Sequence, residues 1–330
     1  MPKLRVLLTG ATGYIAGQLL SVFRDRYDLR LIDNRRENGA GQPVDGVEVL
    51  DLLSASSTEL ESIFTGVDVV VHSAYHRPDG SDPQNQYDGE RRNIDMMQRV
   101  YQMALDHGVG RVVAASTNQA AKWYEQLYFA GLRDRVSPED YPRPDNFYGW
   151  AKAAYESLGF LYACGSLGRP LEVVLLRIVV PREVDAADFA DRPLHRYLRD
   201  IAGYISPRDL AQLFVRSVDA ESVQDRFGVP FQIFYGVSAN ARTFWSITNA
   251  RARSSATRSR TTPRSASPRT SPGCSPAAKR PPGCSAQDDA PPRSRGRSPA
   301  GPAAAGPRPD GNPLGLGGDY MVASSWQRTS

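Results

Sequence analysis

The chain has 330 residues and a net charge of +4, a size for one large domain or two small ones. The charge is lopsided: from Arg251 onward 13 Lys and Arg face 4 Asp, a surplus of +9 that leaves the first 250 residues at −5. An acidic body speaks against a nucleic-acid partner, and no apolar run approaches the ~20 residues of a membrane span.

Residues 4–9 form an apolar run that predicts a buried strand, and residues 13–24 predict a helix opening out of the glycine-rich turn that follows it. Further strands are expected at 29–33, 47–51 and 67–72, the last centred on Val69-Val70-Val71. Ile94, Met97, Val100, Tyr101 and Leu105 are spaced as one helix face over 93–107, ending at Gly108. A strand at 111–116, a helix at 148–164 and a strand at 171–178 complete an alternation that predicts an α/β fold, a Rossmann-type doubly wound parallel sheet. A first domain holding most of the sheet is expected over 1–180. A small C-terminal substrate lobe is expected over 181–250, with a helix at 207–219 and a strand at 231–235.

Beyond residue 251 there are 13 Pro and only three Ile, Leu, Val or Phe, namely Leu314, Leu316 and Val322. Such a segment buries too little apolar surface to offset its ordering entropy, so a disordered basic tail is expected over 251–330. A frameshifted reading is the alternative: in a frame displaced by one base, Ser254 through Ser271 can restore to an acidic stretch with Gly-Tyr followed by Asp-Asp. Cys164, Cys274, Cys284 and four scattered histidines form no metal or disulfide pattern. With a start that leads into a strand rather than a signal peptide, the expectation is a cytoplasmic, metal-free protein, with a homo-oligomer left open.

Gly10, Gly13 and Ala16-Gly17 follow a strand and open a helix, the context that a dinucleotide fingerprint requires. Gly10 would make the tight turn. Gly13 would let a pyrophosphate approach the amides of the helix start, where Tyr14 and Ile15 follow. Asp33 ends the second strand, placed to accept both ribose hydroxyls of NAD and to repel the extra phosphate of NADP. Arg35 and Arg36 keep NADP open. Asp51 and Leu52 are either an adenine site or a plain helix N-cap. Ser73 and Ala74 would run under the cofactor's linker, and Asn93 and Ile178 complete the expected NAD contacts. His72 is read as a core or strand-end residue.

Ser116-Thr117 closes the fifth strand, and Tyr148 and Lys152 stand four residues apart, on one face of a helix. There the Lys ammonium can lie beside the phenol and favour its ionised form, turning a group of ordinary pKa about 10 into a base near neutral pH. Thr117 would hydrogen-bond the reacting oxygen, and Tyr148 would take the proton as hydride leaves. Lys152 would hold Tyr148 ionised and bind the nicotinamide ribose. Alone, each motif has a bland reading as a turn or an amphipathic helix. Together, in this order, they point to nicotinamide-dependent hydride chemistry.

Over about residues 3–250 these motifs resemble the extended short-chain dehydrogenase/reductase superfamily, in its NAD-dependent epimerase/dehydratase group, and most closely uronate dehydrogenase and its relatives. Ala115-Ser116-Thr117-Asn118 is similar to that family's Ala-Ser-Ser-Asn, and Arg143-Pro144-Asp145 resembles the Arg-Pro-Asp ahead of its catalytic Tyr. Tyr235-Gly236-Val237-Ser238-Ala239-Asn240, then Phe244-Trp245, looks like its closing strand and loop. The resemblance implies oxidation of a free sugar or sugar acid at the anomeric hydroxyl, giving a lactone and NADH. It implies Thr117, Tyr148 and Lys152 as catalytic residues, and Thr117, Asn118, Gln119, Tyr148 and Arg199 as substrate contacts. Gln119, Val180 and Tyr75-His76-Arg77 depart from the family pattern in the substrate contacts, so the reaction type is better defined than the sugar. A sugar-nucleotide 4-epimerase would use the same three catalytic residues, but such enzymes need a larger lobe. A non-catalytic dinucleotide sensor would usually lack the Tyr/Lys pair.

Overall fold

The computed structural model describes residues 2–246. The expected tail, its frameshift alternative and Cys274 and Cys284 lie outside the described residues. Seven strands, β1 (Arg5–Thr9), β2 (Asp28–Asp33), β3 (Val47–Val49), β4 (Val69–His72), β5 (Arg111–Thr117), β6 (Glu172–Ile178) and β7 (Phe231–Gly236), form one sheet. Its order is β3-β2-β1-β4-β5-β6-β7 and every pairing is parallel. The strands are apolar on both sides because both sides are covered, the usual state of a parallel sheet.

Seven helices lie among the described residues: α1 (Tyr14–Arg26), α2 (Ser57–Phe64), α3 (Pro83–Asp106), α4 (Tyr124–Phe129), α5 (Phe147–Ala163), α6 (Leu194–Gly203) and α7 (Pro207–Asp219). On one sheet face, Leu19 and Phe23 of α1 and Leu210 and Phe214 of α7 pack against Leu8, Val71, Val113 and Leu176. On the other, α2, α3 and α5 bring Phe64, Met97, Val100, Tyr101 and Tyr155 onto Leu7, Val70, Val112 and Leu175. Each such large side chain, fully buried, contributes about 1.5–3 kcal/mol. A third cluster joins Tyr124, Val136, Ala202, Tyr235, Phe244 and Trp245.

The helix starts follow local chemistry. Ser56 caps α2 in a reciprocal box with Glu59. Asp82 caps α3 through the amides of Gln84 and Asn85, with Pro83 at the first helical position. That cap starts α3 at Pro83, ten residues before the expected start, because a polar first stretch hides it from a search for apolar spacing. The helices α2, α4 and α6 were not expected.

The division expected at residue 180 falls inside the sheet's own sequence. The strand β7 pairs with β6 from Val173↔Phe231 to Ile178↔Gly236, and α7 packs on the sheet face. Arg111 on β5 ties the end of α7 down by donating to the carbonyls of Ser217, Val218 and Ala220. The physical reason is burial: the apolar sides of α7 and of Phe231–Gly236 are satisfied by the sheet. Residues 181–206 and 237–246 are the parts that leave the sheet. No helix among the described residues is long and apolar enough to cross a membrane.

Candidate active site

The chain winds outward from β1 to β3 and then returns to β4, so a crevice opens between β1 and β4 at their carboxyl ends. Gly10 sits there with φ +71°, and a Cβ on it would lie 2.5–2.7 Å from the backbone of Ser73 and Ala74. The position requires glycine twice over, for its backbone angle and for the close approach. Gly13 starts α1 without any side-chain cap, which leaves the helix's first amides for an anion. Tyr14 is largely exposed and donates to the carbonyl of Pro181, while Ile15 is half-buried.

Asp33 is more occupied than expected. Its Oδ2 accepts from the amide and hydroxyl of Thr12, and its Oδ1 accepts from the amide of Asn34. A carboxylate has about four acceptor sites, so room remains for about one ribose hydroxyl rather than two. Arg35 lies alongside, its Nε 3.4 Å from the Thr12 hydroxyl.

Asp51 bonds the amide of Leu53 and the hydroxyl of Ser54, closing a turn. The helix cap offered as its other reading belongs instead to Ser56. The side chain of Leu52 turns into the core, and its carbonyl accepts from Arg99 at 2.6 Å. Ser73 donates through both its amide and hydroxyl to the carbonyl of Thr9. Both ends of the Asn93 amide bond His76, with Oδ1 accepting from its amide and Nδ2 donating to its carbonyl, each at 2.8 Å. Asn93 therefore anchors the loop after β4. His72 is fully buried, shares a 2.8 Å hydrogen bond with Thr9, and is held neutral because burial lowers its pKa to about 3. This matches a core role.

Thr117, Tyr148 and Lys152 come together at the carboxyl end of β5. Asn146 caps α5 by accepting from the amide of Gly149. A Cβ on Gly149 would meet the Gln119 carbonyl at 2.2 Å, so the glycine after Tyr148 lets α5 press against the turn that follows β5. Gln119 itself donates its amide to the Thr117 hydroxyl. Lys152 is 4% exposed, and its Nζ donates to the Ala115 carbonyl at 2.9 Å. Burial lowers its pKa to about 8, with Glu90 and Glu156 acting in the opposite sense.

The Tyr148 phenol is pushed up to about 12 by burial and by the negative charge of Glu90, against a hydrogen bond from Thr117 that lowers it. The expected depression by Lys152 is not expressed in this arrangement. The ammonium stands 5.9 Å from the ring centre and is spent on Ala115. Ile178 is buried, directly opposite Thr117 in the sheet register.

Several participating residues were not singled out from the sequence. Glu156, two turns below Tyr148 on α5, accepts from Ser116 and forms a two-pronged buried ion pair with Arg177, which also donates to Tyr235. Glu90 on α3 accepts from Tyr75 and Asn93. For Glu156 the signal was a glutamate in an otherwise apolar helix; Glu90, in the polar first stretch of α3, gave none. Among the residues expected at the substrate, Asn118 donates to Glu125, whose pKa burial raises to about 7 against the nearby Arg199. Arg199 and Arg182 share the buried Asp200, so Arg199 joins this network through an acid next to it in sequence. Among the described residues no cluster of His, Cys, Asp or Glu could hold a metal ion.

The family model described as NAD dependent epimerase/dehydratase matches residues 6–180. The NAD-dependent glucose-6-phosphate dehydrogenase of Haloferax volcanii is 32% identical over 254 residues, 75% of this chain and 90% of that protein. Uronate dehydrogenase of Pseudomonas putida is 30% identical over 250 residues, covering 74% and 80%. The crystal structure of uronate dehydrogenase from Agrobacterium tumefaciens superimposes with a TM-score of 0.55 at 23% identity, over 80% of this chain and 92% of that one, a likeness of fold. The sheet order, the glycine turn at its switch point and the Thr117, Tyr148 and Lys152 grouping thus coincide with a match in sequence, and the chain belongs to the NAD-dependent epimerase/dehydratase family.

Proposed function

We propose that this chain is an NAD-dependent dehydrogenase that oxidises a hydroxyl of a sugar or sugar acid, uronate-like in character, with Tyr148 as the proton acceptor. The observation that carries the reading is the convergence of three groups: Lys152 on α5 donates to the carbonyl of Ala115, two residues before Thr117 on β5, and its Nζ lies 5.9 Å from the Tyr148 ring centre. Relatives named for glucose 6-phosphate and uronate support a small free substrate over a nucleotide sugar.

The residues fit NAD. Gly10 lets the turn close against the loop after β4, and the uncapped amides near Tyr14 and Ile15 would hold the pyrophosphate. Asp33 would take a ribose hydroxyl, and Ser73, Ala74 and Ile178 would line the crevice. NAD, when bound, accepts the hydride. Thr117 would orient the substrate oxygen, and Tyr148 would remove its proton. At about 12 the phenol is neutral in the free protein, so its activation depends on Lys152 exchanging its bond to Ala115 for a position nearer the reacting oxygens. Asn118, held by Glu125, and Arg199, held by Asp200, would receive the rest of the substrate, with Gln119 at its edge.

A screen of uronates, free aldoses and aldose 6-phosphates with NAD and NADP, following NADH absorbance, tests the reading. Net NADH is expected, with kcat/KM favouring NAD by about tenfold, about 1.4 kcal/mol. Interconversion of nucleotide sugars without net NADH would replace it with an epimerase. Equal use of NADP would move the cofactor choice from Asp33 to Arg35 and Arg36. A chain that binds NAD and turns over nothing would be a sensor.

A further inference from the structure

Lys152 is an ammonium in a place that disfavours charge. The groups facing it are Tyr148, Tyr155 and Glu156 from α5, Glu90 from α3, Tyr75 from the loop after β4, His72 from β4 and the Ala115 carbonyl of β5. His72 is neutral, and burial raises the phenols of Tyr75 and Tyr155 well above their ordinary value, so none of the three carries charge near neutral pH. Tyr148 is neutral for the same reason. Two carboxylates remain. Glu156 is held by both prongs of Arg177 at 2.6 and 2.8 Å, and its charge is answered there. Glu90 is fully buried, and its hydrogen-bond partners, Tyr75 at 2.6 Å and Asn93 at 3.1 Å, are both neutral.

Tyr75 connects the two sites. Its hydroxyl donates to Glu90 and its ring packs edge-on against Tyr148 at 5.3 Å, with the Lys152 Nζ 5.8 Å from the ring centre. Burial raises the Glu90 carboxyl above its ordinary value while Tyr75, Asn93 and Lys152 lower it, so Glu90 and Lys152 each favour the charged form of the other.

We propose that Glu90 is the counter-charge that keeps Lys152 an ammonium beside Tyr148, and that Tyr75 is the positioning residue that aims its carboxylate. The two act together: the Tyr75 hydroxyl is the donor the buried acid requires. For the part of this that concerns catalysis, the inference rests on the dehydrogenase reading. For the charge of Lys152 it does not.

The chain has only four lysines, Lys3, Lys122, Lys152 and Lys279, so the side-chain carbon resonances of lysine-labelled full-length protein can be titrated by NMR, with Lys152 assigned by Lys152→Arg. In Glu90→Gln the proton affinity of Lys152 should fall by about tenfold or more relative to the wild type. In Tyr75→Phe it should fall by less, since Glu90 stays but loses its donor. That variant also carries the test if Glu90→Gln does not fold. An unchanged Lys152 titration in a folded Glu90→Gln protein, or in Tyr75→Phe where only that variant folds, overturns the proposal. Absence of any sugar oxidation would count against the dehydrogenase reading alone and leave the titration standing.

Discussion

The crevice between β1 and β4 and the region beyond β5 solve the same problem in different ways. At the crevice, polar side chains bind mainly backbone: Asp33 holds the glycine turn, Ser73 holds Thr9, and Asn93 holds the loop at His76. Beyond β5 they bind one another, as in Asn118 with Glu125, Arg182 and Arg199 with Asp200, and Glu156 with Arg177. Backbone anchoring gives a rigid cradle whose shape tolerates changes in distant side chains. Side-chain networks give a surface whose charge can be retuned by one substitution, at the cost of burying acids, among them Glu125, whose pKa burial raises.

The largest expected effect separates chemistry from the cradle. Tyr148→Phe should lower kcat by roughly 10²–10⁴-fold while NAD affinity, read by calorimetry, stays near wild type, because only the proton acceptor is lost. Near-normal turnover would remove Tyr148 from the mechanism.

The cradle should fail in the opposite pattern. Gly10→Ala forces a Cβ to within 2.5 Å of the Ala74 backbone at φ +71°, so a destabilisation of about 3 kcal/mol is expected, together with weakened NAD binding. Denaturant unfolding of the two proteins measures it, and a neutral result would mean that β4 yields where the packing says it cannot.

A smaller effect tests the network side. The pKa of Glu125 is raised from 4.5 to about 7 by burial, so the folded chain binds its proton more tightly than the unfolded chain does. Its contribution to stability therefore falls as pH rises from about 4.5 to about 7 and is flat outside that window. Glu125→Gln should flatten this slope, gaining about 2 kcal/mol relative to wild type on going from pH 5 to pH 8. Urea unfolding at the two pH values checks it. A parallel pH dependence in both proteins would show that Glu125 is not buried as a charge.

Most of the fold was legible because it is written locally. Apolar runs marked strands at positions close to those found, and the helix at 207–219 has the bounds of α7. The glycine turn and the Tyr148 and Lys152 pair were legible for the same reason, since each lies within a few residues. What escaped has a common cause. The early start of α3 depends on a cap ahead of a polar stretch, and the place of β7 depends on a neighbour more than fifty residues away. Likewise Glu90, Glu125, Glu156 and Asp200 show only as acids on helices. Their meaning comes from Tyr75, Asn118, Arg177 and Arg182 on other elements. Asp33 was located correctly but credited with more acceptor capacity than its bonds to Thr12 and Asn34 leave.

The Glu156 and Arg177 pair has a consequence for how such proteins exchange parts. It fastens the helix that carries Tyr148 and Lys152 to β6, and through Tyr235 to β7, with Ser116 of β5 as the fourth member. A chimera joined anywhere between Glu156 and Arg177, with the far half taken from a relative that lacks the matching charge, strands one ion in the interior at a cost of about 3–5 kcal/mol. Exchange across that stretch should therefore cost stability unless the helix that carries Tyr148 and Lys152 and the two strands beside it move together.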